Sequence, residues 1–148
     1  MREIGSHLKF YPGFPEILDR LKVEAYARGF ALEIYVITAG LQEMVDGSRL
    51  GPYLTRCWGC RYGEDDEGTI SFPMQIVTSA RKVEKLYLSK RQLLEHENAY
   101  QVILVEPRYD LIPWANLIYL ADGATDCLLY TSDAADDTPC VDLGGRRI

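Results

Sequence analysis

The spacing of apolar positions changes several times along the chain, and each change marks an element. In residues 15–28, Ile17, Leu18, Leu21 and Tyr26 recur at helical spacing, with Asp19, Arg20, Lys22 and Glu24 between them. That is the pattern of a helix with one covered face. Pro15 suits its first turn and Gly29 its stop. Residues 31–37 are short, mostly apolar and β-branched (Ile34, Val36, Ile37), as a buried parallel strand requires. The small residues Thr38, Ala39 and Gly40 follow, and a helical pattern opens at residues 41–45. A hydroxyl therefore sits at the carboxyl end of a strand, where open α/β sheets place their ligands.

Residues 56–62 suit a second short strand, and the polar, glycine-flanked run 63–68 suits a turn. Residues 69–77 can return as an extended stretch interrupted by Pro73. Residues 79–97 read as a charged helix with Ser79 as its cap and Val83, Leu86 and Leu93 as apolar positions. Residues 101–112 fit either a strand or a loop insertion, and Leu117, Ile118, Tyr119 and Leu120 form another buried strand that runs into Asp122, Gly123 and Asp126. Helices alternating with strands imply βαβ units and an α/β fold with a mainly parallel sheet.

The chain has 148 residues, enough for one domain, and 47% of them are hydrophobic, as in ordinary globular proteins. A net charge of −6 gives no general attraction for nucleic acid or an anionic membrane. It leaves room for a phosphorylated small molecule, since a metal ion and local fields decide that. No apolar run is long enough to cross a bilayer, and residues 1–10 lack the pattern of a secretory signal, so a cytoplasmic setting with reduced thiols is expected. Oligomeric state is not legible. Cys57 and Cys60 form a C-x-x-C pair, but two ligands fall short of a structural zinc, and residues three apart on a strand face opposite sides. Ordinary half-buried cysteines are the expectation.

Three places can carry chemistry. Asp122 and Asp126, joined through Gly123 at a strand end, suit Mg²⁺, which takes few carboxylates together with water and phosphate oxygens. Thr38, followed by Ala39, Gly40 and a helix start, can offer a phosphoryl oxygen its own proton and backbone N–H groups, or can equally cap the helix. Lys82 lies on a helix rich in cations (Arg81, Lys85, Lys90, Arg91), where a solvated side chain is the common outcome.

Taken together these segments resemble the haloacid-dehalogenase-like hydrolases, in their phosphoserine-phosphatase-like branch. The strand ending in Thr38-Ala39-Gly40-Leu41 resembles the second motif of that family, Lys82 its third-motif lysine, and Leu117 through Asp126 its fourth motif. Tyr11-Pro12-Gly13 ahead of Pro15-Glu16 resembles the entry to the first core helix. The resemblance implies Mg²⁺-dependent phosphoryl transfer from a small phosphorylated substrate through an aspartyl-phosphate. Thr38 and Lys82 would be catalytic, Thr38, Ala39, Gly40 and Lys82 would hold the phosphate, and Asp122 and Asp126 would hold the metal.

The chain departs from the family at three points. No D-x-D-x-T motif precedes Tyr11, and residues 1–10 contain no aspartate, so Met1 is read as an internal methionine and the nucleophile as missing. Ala121 stands where the family has glycine. Residues 127–136 resemble a translated library-preparation adapter: TGT CTC TTA TAC ACA TCT GAC GCT GCC GAC encodes them one for one, and residues 140–148 match its outer part. Residues 127–148 are therefore set apart from fold reasoning. The expectation is a fragment of the family's core domain over residues 1–126: a partial Rossmann-like parallel sheet without its central first strand and its last strand, and without activity of its own. Loss of a middle strand leaves two edges to find other partners. The alternative is a non-catalytic α/β binding or regulatory module in which Asp122 and Asp126 only cap a turn.

Overall fold

The structure is a computed structural model that describes residues 1–92, 112–121 and 140–142. It is a mixed α/β protein. The chain divides into two compact units, Met1–Val77 and Thr78–Ile148, and each is taken by itself.

In the first unit, α1 (Arg2–Ser6) leads to α2 (Ile17–Ala27). Pro15 precedes α2 instead of opening it. The helix stops as its sequence predicts. Gly29 takes a left-handed φ of 82°, while Gly29 N–H bonds Tyr26 O and Phe30 N–H bonds Ala25 O. These two bonds form the Schellman arrangement, in which glycine avoids the Cβ penalty. Leu18, Lys22 and Ala25 form the half-covered face of α2, and Lys22 Nζ donates to Tyr53 O at 2.9 Å, at the end of a 3₁₀ turn, Gly51–Tyr53. No residue of α2 is buried, and Ile17, Leu21, Val23 and Tyr26 remain exposed.

Three strands follow in the order β1-β2-β3: β1 (Tyr35–Leu41), β2 (Arg56–Glu64) and β3 (Ile70–Gln75). The short helix α3 (Gln42–Asp46) starts where β1 ends and packs against α1 and β2. Pairing of β1 with β2 is parallel and starts at a double tie, Thr55 N–H to Ile34 O at 2.7 Å and Ile34 N–H to Thr55 Oγ1 at 3.0 Å. This tie places β1 at residues 35–41, later than the apolar run 31–37 suggests. The sheet is mixed, not mainly parallel, because β3 returns antiparallel to β2. The cause is local. Asp65 Oδ1 accepts N–H bonds from Glu67 and Thr69, closing a tight turn, and strands joined so closely can pair only antiparallel. The acidic run is thus occupied with its own backbone. Cys57, Trp58, Gly59 and Cys60 on the middle strand are all buried, with Tyr35 stacked on Trp58 at 5.7 Å between ring centroids. Strand β3 is exposed at Ile70, Phe72 and Met74.

In the second unit, α4 (Ser79–Lys90) is capped by Thr78, whose Oγ1 accepts Arg81 N–H, so the cap lies one residue ahead of Ser79. This helix reads as charged and solvated, yet Lys82, Lys85, Lys90 and Arg91 are all buried. Cations leave water only where something replaces it. Glu84 pairs with Lys85 at 3.2 Å, Lys90 Nζ lies 4.2 Å from the centre of the Trp114 ring, and Arg91 lies over Tyr87. Tyr87 meets Trp114 edge to face at 5.4 Å, and Ile112 N–H bonds Lys90 O at the end of the helix. Trp114 belongs to a 3₁₀ turn, Trp114–Asn116, that precedes β4 (Tyr119–Ala121). Strand β4 pairs in parallel with β5 (Cys140–Asp142), inside the stretch that the sequence sets apart as adapter-like. Most of the ambiguous region 101–112 lies outside the described residues. No helix among the described residues is long and apolar enough to cross a membrane.

Trp114→Ala is expected to lower stability by about 2 kcal/mol, from the loss of the Tyr87 edge contact and the Lys90 cation contact. Trp114→Phe is expected to lose less than half of that. Urea unfolding midpoints of the two variants check this.

Candidate functional site

The feature that stands out in the first unit is an irregularity in β1. Ile37 pairs with Trp58 and Leu41 with Cys60, so Thr38, Ala39 and Gly40 stand opposite Gly59 alone. Three residues against one make a large bulge, which turns the backbone out of the ladder and re-aims its side chains. Thr38 is half-buried while Ala39 and Gly40 are exposed. Thr38 Oγ1 accepts the N–H of Gly40 at 3.0 Å, a local side-chain turn that uses one lone pair and leaves the hydroxyl proton free to be donated.

The sequence explains why the bulge forms there. Small residues tolerate the departure from the pleat, and β2 supplies the opposing gap. A Cβ added to Gly59 would lie 2.8 Å from the backbone N and Cα of Gln42, closer than real contacts allow. The start of α3 can sit this close to β2 only over a glycine. Both backbone groups of Gly59 meet side chains: its N–H reaches Gln42 Oε1 at 3.5 Å and its C=O accepts Gln75 Nε2 at 3.1 Å. Cys60, next along β2, donates its S–H to Ala39 O at 3.2 Å and accepts Val77 N–H at 3.4 Å. Gln42, Gln75 and Cys60 escape a reading of the sequence. A C-x-x-C pair draws attention to metal or disulfide chemistry, and isolated glutamines carry no motif signal.

The two cysteines are free thiols. Burial pushes the Cys57 thiol up from 9.0 to about 12, and the carboxylates of Asp46 and Glu43 add to the shift. A thiol held neutral in this way is a poor nucleophile at neutral pH. Among the described residues no group of three or more His, Cys, Asp and Glu side chains is arranged to hold a metal ion.

Of the residues singled out from sequence, Thr38, Ala39 and Gly40 are together on the bulge. Thr38 does not end its strand: β1 continues through the bulge to Leu41. Lys82 lies one turn into α4, buried at 7% exposure, in the second unit. Asp122 and Asp126 lie outside the described residues. The strand that leads to them, β4, ends at Ala121, which is itself buried.

No protein-family model matches the chain, and no solved structure matches it. An uncharacterized protein of Borreliella burgdorferi is similar to it, 25% identical over 140 residues that cover 83% of this chain and 48% of that protein. The chain therefore spans about half the length of the curated relative it matches.

Two outcomes are expected. Gly59→Ala is expected to cost about 1–3 kcal/mol in a urea melt, because the added methyl forces α3 off β2. Cys57 remains a neutral thiol in the folded chain up to about pH 12, whereas in the unfolded chain it ionises from about pH 9. The unfolded state then binds fewer protons across that window, so the contribution of Cys57 is whole below pH 9 and is lost between pH 9 and 12. Melts of the wild type and Cys57→Val are expected to converge over that window.

Proposed function

We propose that the chain is part of a haloacid-dehalogenase-like phosphatase, a Mg²⁺-dependent phosphomonoester hydrolase acting on a small phosphorylated substrate in the cytoplasm. The observation that carries this reading is the bulge at the end of β1, with Thr38, Ala39 and Gly40 turned out of the ladder. The order of the motif residues along the chain supports it, as does the position of Asp122 directly after β4 in the sequence. On this reading the sheet belongs to a Rossmann-like core to which the hairpin β2–β3 adds an antiparallel strand.

Thr38 would donate its hydroxyl proton to a phosphoryl oxygen while its own oxygen stays oriented by Gly40 N–H. The Ala39 N–H would meet a second oxygen. Lys82 would neutralise charge building on the phosphoryl group in the transition state. Asp122 and Asp126 would hold Mg²⁺, which when bound polarises the phosphoryl oxygens. The attacking carboxylate belongs to a D-x-D-x-T motif that the chain does not contain, so hydrolysis is a property of the intact parent. That same lack favours a second reading for this chain by itself, a non-catalytic α/β binding or regulatory module that uses the bulge alone.

The intact parent decides between them. It is expected to release phosphate from an aryl phosphate only with Mg²⁺. Thr38→Val and Lys82→Ala are each expected to slow turnover about 10²–10³-fold, and Asp122→Ala to abolish it. A folded parent that binds orthophosphate but hydrolyses no phosphomonoester would sink the enzymatic reading and leave the binding module.

A further inference from the structure

We propose that Cys60 is a positioning residue for the Thr38-Ala39-Gly40 bulge, fixing the loop for a phosphate group through the carbonyl of Ala39. The ligand in this proposal rests on the phosphate-site reading above; the clamp itself rests on geometry alone.

A bulge of three residues against one has lost the ladder bonds that hold a strand in place. Such a segment presents a defined set of donors only if something else holds it. Thr38 Oγ1 and Gly40 N–H stiffen the loop from within. From outside, Cys60 holds Ala39, with its sulfur between a donor and an acceptor: Val77 N–H at 3.4 Å on one side and Ala39 O at 3.2 Å on the other. Cys60 is buried, and its contact with Val77 N–H is shielded from water, while Ala39 on the other side is exposed. Beside it, Gln42 and Gln75 hold Gly59 by its N–H and C=O, fixing the strand that carries the sulfur. Only the neutral thiol can make both contacts, because a thiolate has no proton for Ala39 O. With the Ala39 carbonyl tied inward, the Ala39–Gly40 peptide plane is held in one orientation, and the N–H of that plane is the one that Thr38 Oγ1 accepts, so the same contact orients the Thr38 hydroxyl for a phosphate oxygen. Cys60 touches no substrate and acts only through Ala39.

The proposal separates Cys60 from Cys57, which shares the strand and is also buried but lacks this contact. Cys60→Val keeps the apolar bulk and removes both hydrogen bonds, Cys60→Ala does so with less bulk, and Cys60→Ser restores a donor and an acceptor. The test is titration of the ¹⁵N-labelled full chain with inorganic phosphate, followed at the Ala39, Gly40 and Val77 amides, with a thermal melt of each variant. In Cys60→Val, or in Cys60→Ala where valine prevents folding, the three amide signals are expected to move before any phosphate is added. The phosphate dissociation constant is then expected to rise about tenfold, the effect of one lost hydrogen bond. Cys60→Ser is expected to remain within about twofold of wild type, and Cys57→Val to lower the melting temperature without changing phosphate affinity. A phosphate response that survives Cys60→Ala unchanged overturns the role of Cys60 and leaves the phosphate site standing. Wild-type Ala39 and Gly40 amides that ignore phosphate overturn the phosphate reading and take this role down with it.

Discussion

The middle strand constrains everything else in the first unit. β2 is paired on one edge with β1 and on the other with β3, and across residues 57–60 it is covered on both faces. A strand held in this way has no freedom to slip, because a shift by one residue would move Trp58 to the opposite face and bring Gly59 under the wrong neighbour. Burial of Trp58 and its stacking on Tyr35 set the register of β1, and that register fixes where the bulge must fall. The tie between Thr55 and Ile34 works in the same direction from the other end of the ladder. The geometry around Thr38 is thus a consequence of packing two strands away from solvent, not a property of the loop itself.

The two units solve the problem of polar groups near a core in different ways. In the first, backbone groups released by the bulge and by the glycine opposite it are met by side chains of low charge, two glutamines and a thiol. In the second, four cations on or next to α4 are buried, and those of Lys85, Lys90 and Arg91 meet a carboxylate and two aromatic rings. Cation–π contacts hold charge in place without a full partner for every proton, which suits a guanidinium or ammonium whose stem is already packed. Covering α4 therefore depends on Tyr87 and Trp114 as much as on its leucines.

Several elements could be read directly from the chain. The α2 stop at Gly29, the hairpin turn with Asp65, and the strand through Cys57 and Cys60 each depend on neighbours in sequence, and each lies where the residues predict. What escaped depends on contacts distant in sequence. The apolar run 31–37 gives no hint that pairing begins at Ile34, because Thr55 decides that. The helix 79–97 gives no hint that its lysines are buried, because Trp114 and the packing around α4 decide it. Thr38, Ala39 and Gly40 were legible as a group because small residues after a strand are a local signal. Their shape as a bulge was not, since it takes Gly59 and the approach of Gln42 to create it. The direction of β3 departs from expectation for a simpler reason: the turn at Asp65 is legible, but the alternation of helices and strands elsewhere points to a parallel sheet.

The bulge has an arithmetic that bears on how such a loop can vary. From Ile37 to Leu41 β1 advances four residues while β2 advances two, from Trp58 to Cys60. The excess is even, so Leu41 leaves the irregularity on the same side of the sheet as Ile37 entered it. Dropping a single residue from the three would leave two against one, an ordinary β-bulge that bends the strand locally. Dropping two would restore an unbroken ladder with the side chains downstream where they are now. A loop with this parity can be added to or erased from a strand in pairs without disturbing the domain that carries it, so descendants of one scaffold can gain or lose the bulge while keeping the fold.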